Sequence, residues 1–250
     1  QPTVSTEQLQ ALRADSPLGR VLAAGLAHRG VPRDVLREAV EEAGRHEVHG
    51  LNRFLNALRE FEASRCRDHW HPLVPAGLAT INPGVIRGGA GMGEDGNPAI
   101  MTNAAIISDV VTIDLDYKFM PDEDFDEVKK EFEEFVAHFA GMDSWMRDNP
   151  PKIEWDLFGL NFAPMNTPVD HPLVTSLQAR ASQVQEKTPE IKGFEAVTDA
   201  AHYAGAGVDA VIYGPSGDGF HGNDECVEVE SLIETTKVIA AAVIDNCGTK

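Results

Sequence analysis

The stretch from Val211 to Val229 does most to limit what this chain can fold into. A short apolar run, Val211-Ile212-Tyr213, ends in Gly214-Pro215 and passes into the glycine-rich sequence Ser216-Gly217-Asp218-Gly219-Phe220-His221-Gly222-Asn223-Asp224-Glu225. Proline removes a backbone donor and glycine weakens regular structure, so the apolar run must end there as a strand and give way to a loop. That loop presents one histidine, His221, immediately before the acidic cluster Asn223-Asp224-Glu225. Loops at strand ends often carry chemistry. Taken alone, His221 has two readings, a surface imidazole or a metal ligand.

Periodicity organises the remainder. Apolar residues at Leu51, Phe54, Leu55, Leu58 and Phe61 recur at helical spacing and predict a helix over about 47–63. Strands are predicted near 77–87 and 106–119. The acidic run from Pro121 to Glu134 keeps apolar residues at Phe125, Val128, Phe132, Phe135 and Val136, which predicts a helix with a solvated acidic face. A further strand is expected from Lys152 to Phe158. After a linker at Asn166 to Pro172, the pattern alternates: helix 172–187, strand 193–197, helix 199–206, strand 209–213, the histidine loop, and helix 230–245 stopped by Gly248. Split α/β followed by alternating α and β predicts an α/β chain in which an α+β insert precedes part of an α/β sheet domain. Upstream, Thr6 to Leu12 reads as a capped helix start, and Leu18 to Leu26 and Val35 to Val40 read as helices divided by Gly30-Val31-Pro32.

The pattern YGPxxxxxHxxDExVxV at Tyr213 to Val229, preceded by Val197-Thr198-Asp199-Ala200-Ala201, resembles the C-terminal signature of the co-catalytic zinc aminoacylases and deacylases. That group includes succinyl-diaminopimelate desuccinylase, acetylornithine deacetylase, aminoacylase and glutamate carboxypeptidase. Thr80-Ile81-Asn82-Pro83-Gly84-Val85-Ile86-Arg87-Gly88-Gly89 is similar to a stretch of the family's inserted lid, and Asn103 through Ser108-Asp109 to Pro121 resembles its N-x-(V/I)-P-D strand. Two departures are visible: Ile107 replaces the customary proline and Lys118 occupies the arginine position, offering a point charge instead of a planar fork.

The resemblance covers about residues 46–250 and implies a ferredoxin-like α+β lid or dimerisation domain at 46–165. To this it adds the C-terminal part of a zinc-peptidase-like α/β catalytic domain at 166–250, with 1–45 a helical extension outside the match. It implies that His221 is a terminal ligand to one of two zinc ions, cobalt or manganese being alternatives, and that Glu225 supports the ligand or its loop. Glu225 also reads as a solvated loop carboxylate. His49 would be an oxyanion donor reaching across a dimer, or else a helix-start histidine. Asn103, Lys118, Thr198 and Asp199 would contact substrate, whereas Asn103 alone reads equally as a turn residue and Thr198 as a helix cap. The implied reaction is hydrolysis of an amide in a small, carboxylate-bearing substrate.

In this family an H-x-D motif, a bridging aspartate and a Glu-Glu pair belong to an N-terminal half. The sequences around His46, around His69 and His71, and around His171 match none of these. A single ligand falls short of the three protein donors that catalytic zinc takes. The expectation is therefore a complementary subunit carrying the metal half, with dimerisation through the lid. A start at Gln1 fits a fragment, a processed precursor or a trimmed subunit. A non-catalytic dimerisation or regulatory subunit of the same fold is the alternative.

A net charge of −19 argues against nucleic acid or an anionic membrane as partner. Three cysteines, Cys66, Cys226 and Cys247, lack metal-type spacing and point to a reducing, cytoplasmic setting. Cys226 reads as a small buried filler in preference to a nucleophile.

Overall fold

The computed structural model describes residues 5–15, 23, 26–27, 32–103, 105 and 108–248, with side chains inside helices described except at 12–15, 33–34 and 36–49. It is a mixed α/β chain that divides into two compact units. One comprises residues 1–69, 79–119 and 124–153; the other comprises 70–78, 120–123 and 154–250. The helical candidate at Leu18 to Leu26 lies largely outside the described residues.

The first unit holds α1 (Thr6–Asp15), α2 (Arg33–Asp68), strands β1 (Ile81–Met92), β2 (Pro98–Ile100) and β3 (Val110–Tyr117), and α3 (Phe125–Gly141). Pro32 precedes the first residue of α2, where a missing N–H costs nothing, and the helix then runs for 36 residues without a break. It thus begins well before position 47. At Gly50, buried inside it, a Cβ would stand 2.9 Å from the Cε of Met146, so this glycine serves close packing and does not mark a helix end.

Helix α3 is specified locally. The Asp124 side chain accepts hydrogen bonds from the N–H groups of Asp126 (2.9 Å) and Glu127 (3.1 Å), and Val128, Phe132, Val136, Phe139 and Ala140 form its buried stripe. Phe61 of α2 stacks on Phe135 at 4.5 Å, and Phe54 meets Phe139 edge-on at 5.3 Å. Such pairs contribute about 0.5–1.5 kcal/mol each beyond area burial. Arg65, fully buried, forms an ion pair with Glu131 and lies 5.3 Å from the centre of the Tyr117 ring.

The antiparallel sheet has the order β2-β1-β3, with Ile81 opposite Tyr117 and Gly89 opposite Val110, and a bulge between Pro83 and Val85. Proline cannot donate to a ladder, which suits it to this irregular position. β1 and β2 approach so closely that a Cβ on Gly89 would run into the carbonyl oxygen of Ile100.

The second unit is built on α4 (Pro172–Gln185), α5 (Ala200–Gly205) and α6 (Val229–Cys247), with a small hairpin of β4 (Gly217–Asp218) and β5 (Cys226–Val227). α4 and α6 pack together: Val174 and Ala181 are buried on one, Thr235, Val238 and Ala242 on the other. Arg180 clamps Asp245 with its Nε and Nη2 at 2.5 and 2.6 Å, and Asn246 Nδ2 donates to Ser176 Oγ at 3.0 Å.

The strands expected at 193–197, 209–213 and from Lys152 to Phe158 are not formed; the last region holds a 3-10 turn, Leu157–Gly159. A strand is defined by its ladder, and among the described residues the second unit contains no strand pairing besides the β4–β5 hairpin.

Candidate functional site: the His221 loop

The β4–β5 hairpin holds residues 219–225 at its tip. Gly217 faces Val227 and Asp218 faces Cys226 across the ladder. A Cβ at Gly217 would strike the Cys226 carbonyl oxygen, so the hairpin closes only with glycine there. The N–H of Glu228 then donates to the Ser216 carbonyl at 2.9 Å, and the Ser216 N–H donates to Ser231 Oγ at 3.0 Å, tying the hairpin to the first turn of α6.

Inside the loop the chain turns through two left-handed positions, Gly219 (φ 74°) and His221 (φ 57°). Gly219 is a residue that adopts this conformation freely; histidine is not, although it is enriched there over most side chains. Holding a non-glycine residue in this region costs about 1–3 kcal/mol and is a feature that clusters at functional sites. Two contacts hold the turn: the Gly222 N–H donates to the Gly219 carbonyl at 2.6 Å, and the His221 N–H donates to Glu225 Oε2 at 3.3 Å. Glu225 thus braces the backbone of His221. The imidazole itself is exposed, with the Phe220 ring edge-on at 6.4 Å.

An exposed imidazole nitrogen is a suitable donor for a borderline-soft divalent ion such as zinc. One donor does not complete a site, however. Among the described residues, His221 belongs to no group of three or more His, Cys, Asp or Glu side chains close enough to share an ion.

The other candidate residues divide between the two units. Thr198, in the second unit, accepts from the Ala200 N–H at 3.3 Å in a local turn just ahead of α5, whose N-cap position is Asp199. Asp199 is exposed at the same helix start and makes no side-chain cap hydrogen bond. In the first unit Asn103 is exposed, and its Oδ1 accepts from the Ala105 N–H at 2.9 Å, a local Asx turn. Lys118 is exposed just past the end of β3, with its backbone N–H on the Thr80 carbonyl at 2.8 Å. His49 lies within α2, and its side chain falls outside what the structure describes. Among the described residues, Glu225 and His221 are the two candidates joined to each other by a hydrogen bond.

Three further features escaped the sequence. Cys226 is exposed, because both short strands of the hairpin are open to solvent; it is not a buried filler. Tyr213 is partly buried and receives Gln185 Nε2 on its hydroxyl at 3.3 Å; burial, with the Glu234 charge, pushes its phenol pKa up and keeps it neutral. In the first unit, Arg53, Asn56, Ala57, Phe139, Met142 and Asp143 line a cavity of about 300 Å³. Of these, Asp143 accepts from Arg53 Nη2 at 2.8 Å and from the N–H groups of Trp145 and Met146 at 2.9 and 3.0 Å. Arg53 and Asp143 are 90 residues apart, and no local pattern signals their meeting.

Residues 18–245 match the profile of peptidase family M20/M25/M40. The chain is 30% identical over 236 residues to the N-formyl-4-amino-5-aminomethyl-2-methylpyrimidine deformylase of Bacillus subtilis (strain 168), an alignment covering 89% of this chain and 51% of that relative. It is 25% identical over 229 residues to the deformylase of the same name from Halalkalibacterium halodurans, covering 88% of this chain and 50% of the relative. The chain therefore spans about half the length of the curated relatives it matches. Hairpin, signature histidine and a match running nearly from end to end agree, and the chain belongs to peptidase family M20/M25/M40.

Proposed function

We propose that this chain is part of a metal-dependent amide hydrolase acting on a small N-acyl substrate, with the remaining metal ligands supplied by polypeptide outside these 250 residues. The observation that carries the reading is His221: an exposed imidazole on a left-handed backbone position, braced by Glu225, in the family's signature loop. When bound, a divalent ion of the zinc class, cobalt and manganese included, polarises a carbonyl and lowers the pKa of water. The chain's own part is to place the His221 imidazole as one ligand, while Glu225 fixes the backbone that aims it.

The likeness to the two deformylases directs the substrate class towards an N-formyl amide on a substituted aminopyrimidine. The expectation of a carboxylate on the substrate rests on the wider family resemblance alone. Residues 46–165 would act as lid and 166–250 as the C-terminal part of the catalytic domain. Asn103 and Lys118 would reach substrate from the lid, Thr198 and Asp199 would hold its far end, and His49 would steady the oxyanion. Dimerisation through the lid is supported by β3, whose outer edge has no paired strand among the described residues. No described helix is long and apolar enough to cross a membrane. All three cysteines are free thiols, in keeping with a reducing, cytoplasmic setting.

The test is His221→Ala in the complete assembly, scored by formate release from an N-formyl aminopyrimidine and by metal content. Loss of hydrolysis with loss of about one metal equivalent, a ligand's share of a two-metal cluster, is the expected result; unchanged hydrolysis overturns it. A non-catalytic subunit of the same fold is the second reading, favoured by His221 belonging to no group of three or more ligand side chains among the described residues. It predicts an assembly whose metal content is indifferent to His221→Ala.

A further inference from the structure

Ser231 stands on the line of α6 that carries its buried residues. Stepping back along the helix from Ala242 to Val238 and Thr235 leads, one turn earlier, to Ser231, half-buried in the first turn. Its hydroxyl is a single oxygen that both donates and accepts. It accepts from the Ser216 N–H at 3.0 Å, and two carbonyls lie within reach of its own proton, that of Glu228 at 2.8 Å and that of Ser216 at 3.3 Å. The Ser216 carbonyl also receives the Glu228 N–H at 2.9 Å. Both backbone polar groups of Ser216 are therefore bonded to the start of α6, and the Ser231 oxygen is the side-chain atom in that knot.

The knot lies where the loop needs one. β5 runs through Glu228 directly into α6, so that side of the hairpin is fixed to the helix by the chain itself. β4 has no such link: ahead of it stand Gly214, with nothing within 4 Å of where its Cβ would be, and Pro215, which has no N–H to give. Ser216 comes next and supplies the first N–H after the proline. The ladder pairs only Gly217 with Val227 and Asp218 with Cys226, too short a ribbon to fix its own direction. Nor is the hydroxyl a helix cap. The N-cap position is Glu228, and Ser231 Oγ accepts from the hairpin instead of from the helix's own first N–H groups.

We infer that Ser231 is a positioning residue for the His221 imidazole, acting through Ser216 and the hairpin that carries the loop. The inference rests on the proposed function, in which His221 is a metal ligand, and adds the group that fixes where the ligand loop begins. Thr236 on the same helix supplies a control. Its hydroxyl donates to the Leu232 carbonyl at 2.8 Å, a similar backward bond, from an exposed position with no hydrogen bond to the hairpin among the described residues.

The test compares Ser231→Ala, Ser231→Thr, Thr236→Ala and His221→Ala in the complete assembly, by exchange of the Ser216 amide, by the zinc dissociation constant and by the melting transition. Ser231→Ala should speed Ser216 exchange about tenfold, the scale of one lost hydrogen bond. Zinc binding should weaken at least tenfold, because ligand placement tolerates errors of only about 0.5 Å. Melting should stay within about 4 °C of wild type. Threonine keeps an oxygen able to bond the helix carbonyl behind it, so Ser231→Thr should restore both exchange and zinc binding to within about threefold of wild type. Thr236→Ala should change neither. Zinc binding that survives Ser231→Ala while His221→Ala removes it overturns the inference and leaves the proposed function standing. So does a loss that threonine fails to restore, a loss that Thr236→Ala reproduces, or a melting transition lowered beyond that range. Zinc binding indifferent to His221→Ala defeats the proposed function, and the positioning role with it.

Discussion

Glu225 touches His221 at the backbone: its Oε2 receives the His221 N–H at 3.3 Å, four residues back along the chain. The carboxylate thereby holds the left-handed turn that puts the imidazole into the open. Glu225→Gln keeps a carbonyl acceptor at this position and should retain the loop, whereas Glu225→Ala removes it. The expected outcome is a loss of about 10–100-fold in metal affinity or activity for the alanine variant, with most of it restored in the glutamine variant. Metal titration of the assembled enzyme checks both. Equal losses in the two would mean that the charge of Glu225, and not its bond to the backbone, matters.

His221 itself should trade stability for function. Glycine adopts φ 57° without strain, so His221→Gly relieves a backbone cost at the price of chain entropy. The melting transition of this chain should hold steady or rise, with a net change within about 1 kcal/mol, while the assembly loses metal. A destabilised His221→Gly variant would show that the imidazole contributes packing to the loop.

How much of this was legible in the sequence depends on the range of the contacts involved. Helix α3 was readable because its determinants are local: Asp124 caps it, and Phe125, Val128, Phe132, Phe135 and Val136 repeat at helical spacing. The histidine loop was readable for the same reason, through its glycines. Local reasoning also foresaw the Asx turn of Asn103. It split α2 into a candidate at Val35 to Val40 and a helix from about 47, because residues 41–46 carry no apolar stripe, whereas the helix runs unbroken from Arg33 to Asp68. It predicted strands at 193–197 and 209–213 from apolar runs alone, and a run becomes a strand only when another strand lies beside it. Whether Lys118 and His221 serve one site depends on contacts of the longest range, and no motif spacing encodes those.

Asp143 should govern acid sensitivity of the first unit. Partial burial pushes its pKa up, but the Met146 N–H, the Arg53 guanidinium and the Trp145 N–H outweigh that and bring it down to about 2. A carboxyl depressed on folding stabilises the fold above its unfolded value, near 3.9, and that contribution is lost as pH falls towards 2. Its size is on the order of 2 kcal/mol. Asp143→Asn keeps an acceptor for the two backbone N–H groups but cannot titrate. Acid unfolding followed between pH 5 and pH 2 should therefore be flatter for the variant, in the window set by the two values above. Curves of equal slope would remove Asp143 from the account.

The hairpin offers the sharpest separation of local from global effects. Gly217 lies so close to the Cys226 carbonyl that an added methyl must part β4 from β5, whereas Gly214, three residues earlier, has nothing within 4 Å of where its Cβ would stand. Two strands of two residues contribute little to overall stability, and the packing of α4 on α6 is elsewhere. Gly217→Ala should leave the global melting transition of the second unit within about 1 kcal/mol of wild type while displacing the loop that carries His221. Because ligand placement tolerates errors of only about 0.5 Å, metal affinity should fall at least tenfold. Gly214→Ala should leave it unchanged. Amide exchange across 216–228 locates the damage: faster exchange confined to the hairpin in Gly217→Ala fits the steric argument. Protection lost throughout α6 would show that the hairpin and the helix unfold as one unit.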